Sequence, residues 1–393
     1  MGVDTFPPNV NGAANFTARL AAALVEHGHE VAVESPAGDR WHGTRIEEHY
    51  GQQIIVYRIK SFRWYPHDWL RYVQPWFSQK YAARILDDFK PDVVHIQSHI
   101  IVGRGLARQA KIRGIRVVAT NHFMPENLME HTMLPKFLQR TAARIAWNDA
   151  AKTYRLVETV TSPSRRAADF LEAETDITNV HAISCGIDAS LYTPSFAKRT
   201  ENRIIFVGRV TAEKHIDVLM KAFATLDPAL NAKLEIVGGG DLLKSLQQLS
   251  VDLGIADRMT FTGYVTDEEL RASLTSATVF AMPSIAELQS IATLEAMASG
   301  LPIVAANAMA LPHLVHDGEN GYLFEPGNAA DLAEKLTRVF TMTDAELTQM
   351  KKWSLAYVKA HELDDTVTNF EHLYRGEPVT DPVTDASLNE QIS

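Results

Sequence analysis

Short, almost continuously apolar runs alternate along this chain with stretches of helical spacing, in two successive series. In the first, the strand-like runs are EVAVES, IIVYRI, DVVHIQ, RVVATNH and TVTSPS, with helical patterns at 14–27, 75–88 and 103–113. In the second they are RIIFVGRV, KLEIVGG, MTFTGYV, TVFAMPS and PIVAAN. A strand without polar alternation must be covered on both faces, and helices following each strand supply that cover in a parallel sheet. The expected fold is α/β: two doubly wound domains in tandem, facing each other across a cleft. Ligands of such sheets lie beyond the carboxyl ends of the strands.

The pattern places the first domain at 1–190 and the second at 203–360, joined by LYTPSFAKRTEN (191–202), whose Pro, Ser and Thr read as a linker. Helices are expected over 328–375, the last at 361–375. Residues 376–393 hold too few apolar side chains to pack and are expected to be disordered. The opening MGVDTFPPNVNG leaves almost no first strand before its turn, so that strand is either abbreviated or begins upstream.

With 46% hydrophobic and 22% charged residues, the 393-residue chain has the make-up of a globular protein with a large core. One cysteine, Cys185, excludes an internal disulfide and fits a reducing compartment, where a buried structural thiol is expected. No apolar run reaches the ~20 residues that span a bilayer, and no leader pattern opens the chain. The expected location is cytoplasmic. A net charge of −10 argues against a general nucleic-acid binder. Its distribution is uneven: residues 1–190 carry 22 Lys and Arg against 20 Asp and Glu, whereas 191–393 carry 16 against 28. The halves therefore differ in the partners they suit.

Several short stretches can carry chemistry. In GRVTAEKHIDVL (208–219), Arg209 and Lys214 sit on a turn leading into a helix, and two cations at a helix start make a diphosphate clamp. VGGGDLLKSL is glycine-rich but lacks the third glycine of a dinucleotide fingerprint, so a tight turn is expected. In PPNVNGAANF, Gly12 opens a helix and lets backbone amides approach an anion or sugar. His122 of ATNHFMP closes a strand. SIAELQSIATLEAMASGLPIVAA sets Glu287 just before a helix and Glu295 inside it. There is no D-x-D, H-E-x-x-H, cysteine pair or Walker loop, so no tightly held metal is expected.

Together, Gly12, His122, Gly208-Arg209 with Glu213-Lys214, the E-x7-E pair Glu287 and Glu295, EAMASGLPIVA and HDGENGYLFEPGN resemble the retaining glycosyltransferases of family 4 over all but the tail. That resemblance implies the GT-B fold of two Rossmann-like domains. It also implies that Arg209 and Lys214 hold the nucleotide diphosphate, that Glu295 takes the ribose hydroxyls, and that Glu287 orients the hexose. Backbone amides at Ile291 and Ala292 would face the phosphate, Val265 and its neighbours the base. Gly12 and His122 would touch phosphate or sugar. The reaction implied is same-face displacement, with a sugar nucleotide as substrate, no metal and no other cofactor. Ser290 stands where most relatives have Gly; its side chain would crowd the phosphate or add a hydroxyl contact.

Trp64, Trp69 and Trp76 fall in RWYPHDWLRYVQPW beside Arg63 and Arg71, a composition suited to an anionic membrane surface. Residues 135–155 carry Lys136, Arg140, Arg144, Lys152 and Arg155 against Asp149 alone, the pattern of a basic amphipathic helix. Core tryptophans and a solvated basic face are the bland reading of both. The expectation is a peripheral enzyme on the inner face of the membrane that glycosylates a glycolipid, most resembling actinobacterial mannosyltransferases that use GDP-mannose. UDP-sugar-dependent transfer to a lipid or soluble acceptor is the main alternative. A sugar-nucleotide epimerase, an NAD-dependent dehydrogenase and a non-catalytic nucleotide-binding module fit the motifs less well.

Overall fold

The computed structural model describes residues 1–379 except 10, 39–40, 64–70 and 126–134, and, at 136 and 137, the backbone alone. Trp64, Trp69, the Lys136 side chain and tail residues 380–393 lie outside the described residues. The chain divides into two compact units: Met1–Cys185 together with helix Leu363–Arg375, and Gly186–Glu362.

The first unit is built on strands β1 (Ala32–Pro36), β2 (Gly43–His49), β3 (Gln52–Ile59), β6 (Val93–Ile96), β7 (Arg116–Thr120), β8 (Thr159–Ser162) and β9 (His181–Ala182), with a separate two-residue ladder of β4 (Phe62–Arg63) and β5 (Arg71–Tyr72). β1, β3, β6, β7, β8 and β9 run parallel, and β2 pairs antiparallel with β3. Residues 1–3 stand in the place of the first strand: Gly2 bridges Glu34 on one side and Ile96 on the other. Helix Gly12–Glu26 starts at Asn11, whose side chain accepts from the Ala14 amide at 2.9 Å. Its Ala18, Ala21 and Ala22 pack on Val33, Ile54 and Val56 of the sheet.

Helix Leu363–Arg375, expected with the helices on the outside of the second half, belongs to this first unit. Its buried face explains the placement. Phe370 lies 4.9 Å from His95 and 6.1 Å from Phe16 between ring centroids, and the Tyr374 hydroxyl is 2.7 Å from His95 Nδ1. Cys185 is buried, which pushes its thiol up to about 12, as expected of a structural cysteine.

The second unit holds one parallel sheet of β10 (Asn202–Val207), β11 (Ala232–Val237), β12 (Met259–Gly263), β13 (Val279–Met282), β14 (Ile303–Ala306) and β15 (Gly321–Phe324). Their spatial order is β12-β11-β10-β13-β14-β15, the doubly wound arrangement in which strand order reverses between β10 and β13. Phe206, Phe280 and Phe324 are fully buried in its core. Residues 191–202 are tied to this unit, because Lys351 Nζ donates to Ser195 O at 2.7 Å and Arg199 donates to the carbonyls of Val339 and Met342.

Candidate active site

Strand order reverses between β10 and β13, the place where sheets of this kind take ligands beyond their carboxyl ends, and both charged stretches of the second half follow these two strands. After β10 the chain passes Arg209, makes a single 3-10 turn at Ala212–Lys214, and enters helix Ile216–Ala224 through His215 at φ 48°. Glu213 is 2% exposed. Its Oε1 accepts from Thr211 Oγ1 at 2.7 Å and Arg209 Nη2 at 3.1 Å. Burial alone would raise this carboxyl, but the Thr211 hydroxyl, its own amide and the charges of Arg209 and Lys214 outweigh it and hold it below its ordinary range.

Glu213 also joins the two loops. Its carbonyl accepts from Ser284 Oγ at 3.2 Å and from the Ile285 amide at 3.3 Å, both in the loop after β13. That loop carries Glu287, which pairs with the Lys214 ammonium; both side chains are largely buried. Arg209, Lys214 and Glu287 are thus brought together by Glu213, whose role shows only in the structure. Its signal was its place in A-E-K, between the two expected cations.

Ser290 follows at φ 80°, a left-handed conformation that favours glycine, and initiates helix Ile291–Ala298. This accounts for glycine being usual here in the family that the chain resembles. The Ser290 hydroxyl is 2.8 Å from Thr293 Oγ1, so it is engaged within the helix start. The first intrahelical bonds are donated by Thr293 and Leu294, to Ser290 O. Ile291 and Ala292 precede them, and amides in that position have no acceptor within the helix. Glu295 lies one turn further on and is half-buried.

The glycine-rich loop after β11 serves packing. A Cβ on Gly238 would lie 2.0 Å from Gly208 O, and one on Gly240 2.4 Å from Val210 O. These glycines let two backbone segments touch and so support the Arg209 loop, which agrees with the expected turn. Val265, after β12, is half-buried against the core of the same unit.

In the first unit, Gly12 is exposed at the first position of its helix, and a Cβ there would meet nothing within 4 Å. His122 follows β7. Its Nε2 is 2.9 Å from Gln97 Oε1 and its ring 5.0 Å from Phe16. Burial lowers its pKa to about 4, so it is neutral at pH 7. Helix Lys136–Tyr154 turns Trp147 into the core and leaves Arg140, Arg144, Leu138 (41% exposed) and Ile145 (64% exposed) outside. Trp76 is also exposed, whereas Trp147 is not. Arg63 and Arg71 stand opposite each other on β4 and β5, and Arg71 Nε donates to Ser61 Oγ at 3.2 Å. Among the described residues, no group of three or more His, Cys, Asp or Glu is disposed to hold a metal ion, and no helix is long and apolar enough to cross a membrane.

A model of the family described as Glycosyltransferase Family 4 matches residues 10–191, and one described as Glycosyl transferases group 1 matches residues 193–353. The GDP-mannose-dependent alpha-mannosyltransferase of Mycolicibacterium smegmatis is 30% identical over 331 residues, which is 82% of this chain and 83% of that relative. The chain belongs to the family-4 glycosyltransferases. The sulfoquinovosyl transferase SQD2 of Arabidopsis thaliana is 27% identical over 83% of this glycosyltransferase, which spans 63% of that relative's length. Among solved structures, a sucrose-phosphate synthase of Thermosynechococcus elongatus aligns with a TM-score of 0.76 at 20% identity, over 95% of this chain and 98% of its own. At that identity the likeness speaks for the fold, which is GT-B.

Proposed function

We propose that this glycosyltransferase moves a hexose, with mannose from GDP-mannose favoured, onto a glycolipid at a membrane surface, retaining the configuration at the sugar. The observation that carries the donor half is the convergence of Arg209, Lys214 and Glu287 at the strand-order reversal of the second unit. A diphosphate bound there meets two cations and the N-terminus of helix Ile291–Ala298. As the pyrophosphate engages the Lys214 ammonium, Glu287 is released to accept from the sugar hydroxyls. Glu295 reads the ribose, Ile291 and Ala292 donate to phosphate, and Val265 lies toward the base. Gly12 and His122 of the first unit are assigned to phosphate and sugar by the family resemblance.

The bond from the anomeric carbon to the leaving phosphate breaks as a bond to the acceptor oxygen forms on the same face. The departing phosphate takes the acceptor proton. Negative charge grows on the diphosphate as this happens, so fixed cations stabilise the transition state more than the bound substrate. No step here needs a metal. Mannose is favoured by the likeness to the GDP-mannose-dependent alpha-mannosyltransferase of Mycolicibacterium smegmatis. The lipid acceptor is favoured by exposed Leu138 and Ile145 set among Arg140, Arg144 and Lys152 on one helix.

Calorimetry with GDP-mannose, UDP-glucose and UDP-GlcNAc, followed by transfer to extracted membrane lipids, tests the donor and acceptor together. Lys214→Ala is expected to depress kcat more than it raises KM, and Glu295→Ala to weaken nucleotide binding. Equal loss of kcat and affinity in Lys214→Ala would remove Lys214 from the transition state.

A further inference from the structure

Away from the strand-order reversal, the second unit has a cavity of about 110 Å3 lined by Phe196, Lys198, Arg199, Asp344, Thr348 and Lys351, among others. Three cations face it against one acid. Lys351 is only 8% exposed, and its ammonium donates to the Ser195 carbonyl at 2.7 Å. Among the described residues it has no carboxylate partner, so a buried positive charge with three donors is met by one neutral oxygen. Burial, reinforced by the neighbouring Arg199 charge, pulls the Lys351 pKa down, as expected of a cation that lacks a counter-ion. Arg199 is held in place by the carbonyls of Val339 and Met342, at the end of helix Ala329–Thr341. A buried cation without a partner is costly, and an anion is the complement that relieves it.

We propose that this cavity binds a phosphate-class oxyanion, held by Lys351, Arg199 and Lys198 with the Thr348 hydroxyl as a further donor. The site is separate from the diphosphate clamp at Arg209 and Lys214. Bound there, the anion ties residues 195–199 to helix Asp344–Tyr357 and to the end of helix Ala329–Thr341. It does not depend on the sugar transferred or on the acceptor.

The test uses the full chain carrying Arg209→Ala and Lys214→Ala, so that phosphate binding at the clamp does not contribute. Thermal unfolding and calorimetry are run with inorganic phosphate and with a hexose monophosphate, against chloride at equal ionic strength. Phosphate is expected to raise Tm saturably in this background. Lys351→Met is expected to abolish that rise while leaving the anion-free Tm equal or higher, because it removes an unmatched buried charge. Lys198→Ala, at an exposed position, is expected to weaken phosphate binding about tenfold, the cost of one charge-assisted hydrogen bond. It carries the test should Lys351→Met fail to fold. Tighter binding of the hexose monophosphate would support an esterified ligand, and equal binding a free phosphate. A phosphate effect no greater than that of chloride, or one that survives both Lys351→Met and Lys198→Ala, overturns the proposal.

Discussion

Two loops of the candidate active site converge on Glu213, whose side chain holds Arg209 and Thr211 and whose carbonyl holds Ser284 and Ile285. Glu213→Gln keeps the shape but removes the charge that fixes the Arg209 guanidinium. A charge-assisted hydrogen bond contributes about 1.5–3 kcal/mol, so kcat/KM is expected to fall roughly tenfold or more. Circular dichroism melts are expected to show a modest fall in stability, because the fold favours the charged carboxylate. Full activity in Glu213→Gln would show that Arg209 needs no such support. A second residue-level prediction concerns Ser290. Its φ of 80° costs a non-glycine residue about 1–2 kcal/mol. The hydroxyl contact with Thr293 returns part of this, about 1 kcal/mol. Ser290→Gly is therefore expected to stabilise the second unit slightly in urea titrations, by less than about 1 kcal/mol. A clear loss of stability would mean that the Thr293 contact outweighs the backbone conformation. The conformation was legible only through the resemblance, since nothing in ELQSIATLE marks a left-handed residue.

At the level of elements, what the sequence revealed and what it hid have physical causes. Strands buried on both faces, such as β10, β11, β13 and β14, announce themselves as apolar runs. β2 does not, because it is an edge strand in which Thr44, Arg45 and Ile46 are exposed. Its one signal was Tyr50-Gly51, where both residues have positive φ, the backbone of a two-residue hairpin turn. Helix Leu363–Arg375 was read as a helix but placed with the second half, since a helix's own pattern says which face it buries and not against what. The helix beginning at Gly12 was legible through its apolar stripe, whereas the Asn11 side chain that caps it appears only in the structure. Nothing in the first unit crowds a Cβ at Gly12, so Gly12→Ala is expected to leave Tm unchanged or slightly raised. If the amides here approach the donor, the same variant loses activity; unchanged kinetics would release Gly12 from that role. On helix Lys136–Tyr154, Ile145→Glu alters an exposed position and should leave folding intact. Flotation with anionic liposomes is expected to show weakened binding, and undiminished binding would take this helix out of the membrane-facing surface.

For the molecule as a whole, the buried histidines set the response to acid. In the first unit, burial lowers His99 and His122 to about 4 and holds His95 well below its usual value; the Arg104 charge adds to the effect on His99 and the charges of the N-terminus and His122 to that on His95. In the second unit, burial lowers His361 to about 4. Each is neutral in the folded state and takes a proton on unfolding below about pH 6.5. Their contribution to stability is complete above that pH and is lost as pH falls toward 4. Two buried acids of the first unit act oppositely. Burial raises Glu34 to about 8 and Asp4 above its ordinary value, so the folded state holds their protons where the unfolded chain has released them. Between about pH 6 and 4.5, three histidine protons taken up on unfolding stand against at most two released by these carboxyls. Unfolding therefore takes up protons on balance, and each net proton amounts to about 1.4 kcal/mol per pH unit. Differential scanning calorimetry from pH 7 to 4.5 is expected to show the transition of the first unit moving to lower temperature on acidification. His99→Gln should flatten that dependence, because a glutamine has no proton to gain. Glu34→Gln should steepen it, because it removes one of the opposing groups while sparing the histidines. A first-unit transition that holds its temperature across this range, or that His99→Gln leaves equally steep, would mean that these rings are solvated and charged in the folded protein.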